Sequence, residues 1–256
     1  MRRRRRRGCF LLLGLAAALL LGLPGRGMGY LLSPAYVLKR MIGNYRLVRS
    51  VTINQQVEAY GEDPAFPIAS VDEKVELEPI VPLKIWIGGK PVPPEGDLDP
   101  GLDINPYLIE AQRRYGFYKD VFLNHQLNLI TSLLGRLGIA PVEDRLRLVY
   151  PNAAYQIGSE LTHENLKGLW VEKERFIPLR LVGTLIGERN GASHQETIDI
   201  RYEDYRHLSG RIWFPHDVKF FINGKLALRM RAASVSLTTY SMGSVDEERT
   251  RVENLA

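Results

Sequence analysis

Cysteine is almost absent from this chain: Cys9 is the only one among its 256 residues. It lies at the start of an apolar block that we expect to be removed from the mature protein. Disulfides, thiolate metal ligands and a cysteine nucleophile are therefore excluded from the mature chain. Its stability must come from a core, which about 225 residues can bury within a single domain.

Sequence motifs of catalysis and cofactor binding are also lacking. The chain has no Gly-x-Ser-x-Gly elbow, no Walker loop and no Gly-x-Gly-x-x-Gly after a strand. Its five histidines lack the short spacing of metal ligands and are His125, His163, His194, His207 and His216. Asp199, Glu203 and Asp204 could form an acid/base pair, but Asp199 and Glu203 share the polar face of one strand, where solvated carboxylates are usual. We predict no enzyme, cofactor or metal; a hydrolase would need a histidine such as His216 beside paired carboxylates.

No apolar run reaches the roughly 20 residues that a membrane-spanning helix needs. The longest block, residues 9–23, follows the basic run Arg2 to Arg7 and is broken by residues 24–29. This order is typical of an export signal. We predict a signal peptide over residues 1–29, cleaved after Gly27 or Gly29, and a periplasmic protein; an uncleaved signal would anchor it to the membrane.

The signal also explains the positive charge of the chain. Residues 1–29 hold seven of the 34 basic residues and none of the 29 acidic ones. The remaining residues, 30–256, therefore have 27 basic and 29 acidic side chains, a net charge of −2. The pI near 9.3 is therefore not the mark of a basic surface. We exclude nucleic acid as a partner.

The predicted domain, residues 30–240, begins with one helix and long strands. Ser33 and Pro34 are typical of a helix start, and Gly43 with Asn44 ends that helix. Strict alternation of apolar and polar residues predicts strands over residues 45–60 and 71–78. A third strand over 80–87 is interrupted by prolines and is expected at an edge.

The central region predicts a loop followed by two helices. Residues 88–106 are rich in Pro, Gly and Asp, without periodicity, and are interpreted as a long surface loop. A helix is predicted from Pro106 to Arg114 and a second, with an apolar stripe, over 125–137.

From Pro141 onward the chain has the periodicity of strands. We predict seven of them, over residues 144–150, 153–158, 169–174, 178–186, 196–205, 211–222 and 225–238. Asn223-Gly224 between two such runs indicates a hairpin, and residues 241–256 form a polar tail. The expected fold is α+β, a curved antiparallel sheet of about ten strands whose apolar concave face is covered by helices.

An apolar cavity between the sheet and the helices would be a binding site, although for each side chain taken alone a place in an ordinary core is the simpler interpretation. The candidate cavity residues are Leu47, Val51, Ile53, Val57, Val75, Leu77, Leu127, Ile130, Leu134, Leu148, Ile157, Leu169, Val171, Leu179, Leu181, Ile198, Ile200, Val218 and Phe220.

Several motifs resemble one protein family. They are a Leu-Trp-Val-x-Lys strand at 169–173, an Ile-Pro-Leu-Arg strand start at 177–180, the strand 199–205, Trp-Phe-Pro-His at 213–216 and the Gly224-Lys225 turn. The chain thereby resembles the outer-membrane lipoprotein-sorting proteins, the LolA/LolB-like periplasmic carriers. The resemblance is most specific between residues 150 and 238.

The resemblance implies an incomplete antiparallel β-barrel, closed by helices around a cavity that holds acyl chains, and carriage without covalent chemistry. Lipid or lipoprotein acyl chains would be the cargo of a monomeric protein, with a delivery partner at the inner or outer membrane. Family members use an arginine on a Pro-x-x-Phe-Arg strand to hold the lid, and the nearest match here is Pro82-Leu83-Lys84. The helix with Leu127, Ile130 and Leu134 is the candidate lid. The alternative is an envelope scaffold or lipid-sensing module with the same fold.

Overall fold

The computed structural model describes residues 32–79, 81–92, 105–139, 147–149, 153–158, 167–189 and 192–240. The predicted signal peptide, the predicted C-terminal tail and most of the predicted loop 88–106 lie outside the described residues, so these remain predictions. Among the residues described, no helix is long and apolar enough to cross a membrane.

Three α-helices are present in the described part of the chain: α1 Pro34–Tyr45, α2 Asn105–Tyr118 and α3 Leu127–Arg136, with a π-helical segment Lys119–Leu123 directly after α2. The Ser33 side chain accepts a hydrogen bond from the backbone N–H of Tyr36 at 3.3 Å, which confirms the predicted helix start. Helix α2 was predicted to end at Arg114 but continues for another turn. Its last turn adds the side chains of Tyr115 and Tyr118, which are buried. Tertiary packing of these two side chains therefore extends the helix beyond Arg114.

Eleven strands lie within the described residues. They are β1 Val48–Tyr60, β2 Pro67–Leu77, β3 Lys84–Ile87, β4 Lys90–Pro91, β5 Arg147–Val149, β6 Ala154–Ile157, β7 Gly168–Glu172, β8 Pro178–Arg189, β9 Ala192–Ser209, β10 Ile212–Ile222 and β11 Lys225–Thr239. The two-residue strand β4 falls inside the predicted loop, which is therefore shorter at its start than expected. The third predicted strand is confirmed as β3, although it begins four residues later, after Pro82.

All strands belong to one antiparallel sheet of order β4-β3-β2-β1-β11-β10-β9-β8-β7-β6-β5. The two end strands, β4 and β5, do not pair with each other, so the sheet is an incomplete barrel, as predicted. The first long strand pairs with the last one, from Val48 opposite Thr239 to Ala59 opposite Leu228. This pairing joins the N-terminal and C-terminal parts of the fold.

The helices cover one face of the curved sheet, which we call the inner face. Alternation along each strand places the apolar residues on this face and the charged residues on the outer face. Tyr45 at the end of α1 connects the layers: its ring lies 5.2 Å from that of Phe122, and its hydroxyl donates to the carbonyl of Trp213 at 2.9 Å. The core therefore lies between the inner face and the helices.

Candidate functional site

Most of the predicted cavity residues lie together between the sheet and the helices. They belong to the inner face of seven strands and to the side of helix α3 that packs against it. Fifteen are at most 4 % exposed, namely Val51, Ile53, Val57, Val75, Leu77, Ile130, Leu134, Ile157, Leu169, Val171, Leu181, Ile198, Ile200, Val218 and Phe220. Such a continuous apolar surface is what acyl chains or apolar side chains can pack against.

Aromatic side chains fill the space in front of this surface in the present structure. Tyr118 of α2 stacks on Phe214 of β10 with 6.0 Å between the ring centres, and Phe122 lies 5.0 Å from Phe214 and 5.3 Å from Tyr202 of β9. All four side chains are at most 2 % exposed. Helix side chains therefore occupy this part of the inner face, an arrangement that we call the closed state.

The remaining predicted cavity residues are placed differently. Leu47 and Leu127 are half-buried, and the side chain of Leu148 lies outside the described residues. Leu179 packs on the outer face, against a cluster of Ala154, Trp170 and Val182. Its prediction as a cavity residue beside Leu181 was wrong, because a register shift pairs Val171 with Pro178 and Trp170 with Arg180, leaving Leu179 as an extra residue that disturbs the alternation.

Four polar side chains interrupt the apolar inner face and form one buried cluster, which we call the latch. Its members are Gln55 of β1, Glu73 of β2, and Arg114 and Tyr115 of α2. Arg114 Nη2 lies 2.7 Å from Glu73 Oε2, and both side chains are at most 1 % exposed. The Tyr115 hydroxyl donates to Glu73 Oε1, to which Gln55 Nε2 also donates at 3.1 Å. The latch joins the sheet to α2 through charge-assisted hydrogen bonds.

Sequence reasoning missed the latch, although one signal was present. Glu73 lies between Val71 and Val75 on the apolar side of an alternating strand, and Gln55 lies likewise between Ile53 and Val57. A polar residue at an inward position needs a buried partner. The partner could not be found by pattern, because Arg114 belongs to a helix 41 residues later in the chain.

The lysine that the resemblance suggested for holding the lid does not contact a helix. Lys84 lies at the edge of the sheet with about half of its side chain exposed, and its ammonium is 4.0 Å from Glu76 of the neighbouring strand. In the described part of this chain, two arginines of α2 bind carboxylates of the sheet: Arg114 binds Glu73 at 2.7 Å, and Arg113 binds Glu196 of β9 at 3.1 Å.

Two polar contacts hold the π-helical segment after α2. π-Helical turns are rare and often occur at functional sites. Asp120 in this turn binds Arg136 of α3 at 2.8 Å, and the Lys119 ammonium donates to the carbonyl of Val81 at 2.6 Å. Burial lowers the pKa of Lys119 and raises that of Asp120, since both charged groups are partly removed from water.

The end of helix α3 is fixed to the sheet. The carbonyl of Leu137 accepts a hydrogen bond from the backbone N–H of Thr184 in β8 at 2.9 Å. A Cβ atom at Gly183 would lie 2.5 Å from Leu137 Cβ, so only glycine allows this close approach. The candidate lid helix is thus anchored at its C-terminal end.

Within the described residues, the potential catalytic groups do not converge. No group of three or more His, Cys, Asp or Glu side chains there is arranged to hold a metal ion. Asp199 binds Arg180 and Arg201, and Glu203 binds Lys219 at 2.5 Å. His216 is buried, its Nδ1 lies 3.1 Å from the carbonyl of Phe214, and burial lowers its pKa.

The described fold matches solved structures. One is described as an outer membrane lipoprotein-sorting protein domain from Vibrio parahaemolyticus, with 6 % identity and a TM-score of 0.43 over 84 % of this chain and 96 % of that one. The chain is similar to that domain in fold, and the description of that domain names the group that the sequence motifs resemble.

A second solved structure with a similar fold is a LolA superfamily protein from Nitrosomonas europaea, with 10 % identity and a TM-score of 0.40 over 82 % of this chain and 96 % of that one. No protein-family model and no curated protein matches the sequence. At these identities and TM-scores the likeness concerns the fold, and it says nothing about a ligand.

Proposed function

We propose that this chain is an exported, non-enzymatic binding protein that takes lipid acyl chains between the inner face of its sheet and helix α2. In this proposal it works in the periplasm, as a monomer, and the closed state described above is the form without cargo. The two solved structures are described as a lipoprotein-sorting domain and a LolA superfamily protein, which agrees with this assignment.

The observation that carries the proposal is the latch on an otherwise apolar surface. A buried ion pair loses its hydration, and well-packed apolar side chains at the same positions often give equal or greater stability. Glu73 and Arg114 therefore contribute little to a permanently closed core. If α2 lifts, both ions regain water, which lowers the free-energy cost of opening and makes the contact reversible.

Opening at the latch would expose the apolar surface to which acyl chains bind. Tyr118 and Phe122 follow the latch directly on α2 and the π-helical segment, so they would leave the inner face together with Arg114. An entering acyl chain would replace them, with about 0.8 kcal/mol gained per buried methylene. Since α3 is anchored at Leu137, α2 with the π-helical segment is the better candidate for the moving lid than α3.

A second function, an envelope scaffold or lipid-sensing module, is favoured by the filled inner face. If Tyr118, Phe122, Tyr202 and Phe214 form a permanent core, then no cargo enters, and binding would use the outer surface. The closed state is consistent with both functions, which differ in whether α2 opens.

Lipid analysis of the natively exported protein distinguishes the two. The full chain is produced with its own signal, purified without detergent, extracted with organic solvent, and bound lipid is identified by mass spectrometry. The same protein is titrated with a fluorescent acyl probe. Stoichiometric lipid and saturable, displaceable probe support the carrier; a lipid-free protein that ignores the probe contradicts it and favours the scaffold.

The latch itself is tested with a matched pair of variants. Glu73→Leu with Arg114→Leu removes both charges of the latch, whereas Asp217→Leu with Arg229→Leu removes an ion pair of similar geometry from the outer face. If the protein is a carrier, the latch variant takes up the acyl probe at least tenfold more slowly than the outer-face variant, because opening of the latch variant no longer returns two ions to water. Equal uptake rates in both variants would contradict the role of the latch.

A further inference from the structure

A second cleft, of about 760 Å³, lies on the outer face of the sheet around strands β6 to β9. Its apolar part consists of Ala154, Trp170 and Leu179, which belong to the outer-face cluster that also contains Val182. A cleft of several hundred Å³ is large enough for a small ligand. The cleft is separated from the proposed acyl site by the sheet itself.

Positive charge is in excess in this cleft because two guanidinium groups share one carboxylate. Arg180 donates to both oxygens of Asp199, at 2.8 and 2.7 Å, and Arg201 donates to Asp199 Oδ2 at 3.2 and 3.0 Å. Both arginines use Nε and Nη2 for these bonds. Within the described residues, the Nη1 groups have no hydrogen-bond partner, and the side chains are 31 % and 41 % exposed.

The other carboxylates around the cleft do not compensate for this excess, because each has a cation of its own. The pairs are Glu172 with Arg175 at 3.4 Å, Glu203 with Lys219 at 2.5 Å and Asp204 with Arg206 at 2.7 Å. The lining itself has three arginines and three carboxylates. When the bound partners Asp199, Lys219 and Arg206 are counted with them, five cations stand against four carboxylates, which leaves one positive charge at the Arg180 and Arg201 pair.

Backbone strain is concentrated around the same cleft. Four non-glycine residues of the described chain have positive φ; Asn223 lies in the hairpin turn between β10 and β11, and Phe176, at 55°, lies in the one between β7 and β8. Three of the four adjoin the cleft: Asp204 at 47° lines it, Phe176 follows Arg175, and Ala153 at 42° precedes Ala154. Non-glycine residues adopt such angles at a cost, and they occur preferentially at binding and active sites.

We infer that this cleft is a binding site for an amphipathic anion, with a phosphate or carboxylate group on the Arg180 and Arg201 Nη1 atoms and an apolar group on Trp170 and Leu179. Guanidinium forks suit such oxyanions, and Trp170 already has the Arg180 guanidinium over its ring at 5.1 Å. The inference does not depend on the acyl carrier function of the inner face.

The test titrates the full chain with three probes by calorimetry, below their micelle concentrations: dodecyl phosphate, inorganic phosphate and dodecyl maltoside. We expect dodecyl phosphate to bind one equivalent on the cleft, in addition to any equivalent that it shares with dodecyl maltoside on the inner face, and inorganic phosphate to bind the cleft at least tenfold more weakly. If dodecyl maltoside binds with the same number of equivalents and the same affinities as dodecyl phosphate, the anion is not recognised and the inference fails. Equal affinity for inorganic phosphate would show a site for free anions, which overturns the amphipathic part of the inference.

The matched variants separate this cleft from the inner face. The double variant Arg180→Gln with Arg201→Gln should weaken dodecyl phosphate binding at least tenfold. The control is Arg229→Gln, because Arg229 makes two hydrogen bonds to Asp217 on the same outer face but lies outside the cleft. This control should change dodecyl phosphate binding less than twofold. Unchanged binding by the double variant would place dodecyl phosphate elsewhere and overturn the inference.

A measurement on the unmodified chain covers the case in which the double variant does not fold. The ¹⁵N–¹H signals of Arg180 and Arg201 Nε are followed while dodecyl phosphate is added. Saturating shifts of both signals, at the concentration at which calorimetry shows binding, support the site. Binding without a change in either signal overturns it.

Discussion

Glu73 and Arg114 form the buried ion pair that joins strand β2 to helix α2, with 2.7 Å between Oε2 and Nη2. Both residues lie in an environment of apolar side chains, including Met230, whose sulfur is 3.7 Å from the amide nitrogen of Gln55 in the same cluster. Breaking such a pair on one side leaves a buried charge, whereas removing it entirely does not.

Removal of only one partner of this ion pair should therefore destabilise the protein. Glu73→Leu should lower the free energy of unfolding by about 3 to 5 kcal/mol, because Arg114 then stays buried without its carboxylate. The double change with Arg114→Leu should recover most of this loss. Urea unfolding of the three proteins gives the comparison, and a double variant as unstable as the single one would contradict the explanation.

Close contact at Gly183 leads to a second prediction. Gly183→Ala should destabilise the protein by about 1 to 3 kcal/mol, since the new methyl group would lie 2.5 Å from Leu137 Cβ and 2.9 Å from its carbonyl oxygen. Gly43→Ala is the control, because nothing lies within 4 Å of its Cβ position in helix α1. The control should be neutral or stabilising by up to about 1 kcal/mol; equal thermal unfolding midpoints would refute the contact.

The assignment of faces in β8 can be checked with two neighbouring leucines. Leu181→Ala should cost about 2 to 5 kcal/mol, as expected for a side chain 1 % exposed in the core. Leu179→Ala, at the half-buried outer cluster, should cost less than half as much. Denaturant unfolding decides this, and the reverse order would return Leu179 to the inner face.

Acid should weaken the fold through His125, which lies between the π-helical segment and α3. Burial lowers its pKa below the ordinary 6.5, and its Nε2 is buried without a partner in the described structure. The unfolded chain then binds the proton more tightly, so the contribution of His125 to stability is present above pH 6.5 and is lost as the pH falls below it.

His125→Phe should therefore lose less stability than the unmodified protein between pH 7.5 and pH 5.5. Urea midpoints at both pH values provide the measurement. His207→Gln serves as a control, since this exposed side chain lies at the opposite surface turn beside Gly210. An identical loss in the His125 variant and the unmodified protein would rule out this histidine as the cause.

Local elements could be predicted from the sequence because local patterns determine them. The hairpin at Asn223-Gly224 is confirmed, with φ of 51° and 80° at the two residues, as a two-residue turn between twisted strands requires. The faces of β1 are confirmed by the burial of Val51 and Ile53. In each case, the residues that define the structure are neighbours in the chain.

The features that escaped prediction depend on distant residues. The extra turn of α2 and the latch both result from contacts of Arg114 and Tyr115 with strands β1 and β2, and no local pattern contains this information. The outward position of Leu179 follows from a register shift against β7, which alternation alone cannot reveal. Sequence reasoning thus found the apolar surface but not the polar contact that closes it.

The pairing of β1 with β11 also determines when the chain can fold. Until residues 225–239 have been synthesised, β1 lacks the neighbour that connects it, with β2, β3 and β4, to the rest of the sheet. Contacts between such distant segments slow folding, because a loop of nearly the whole domain must close first. A ribosome-bound chain therefore carries strands β1 to β4 without their connection to the rest of the sheet for as long as residues 225–239 are missing.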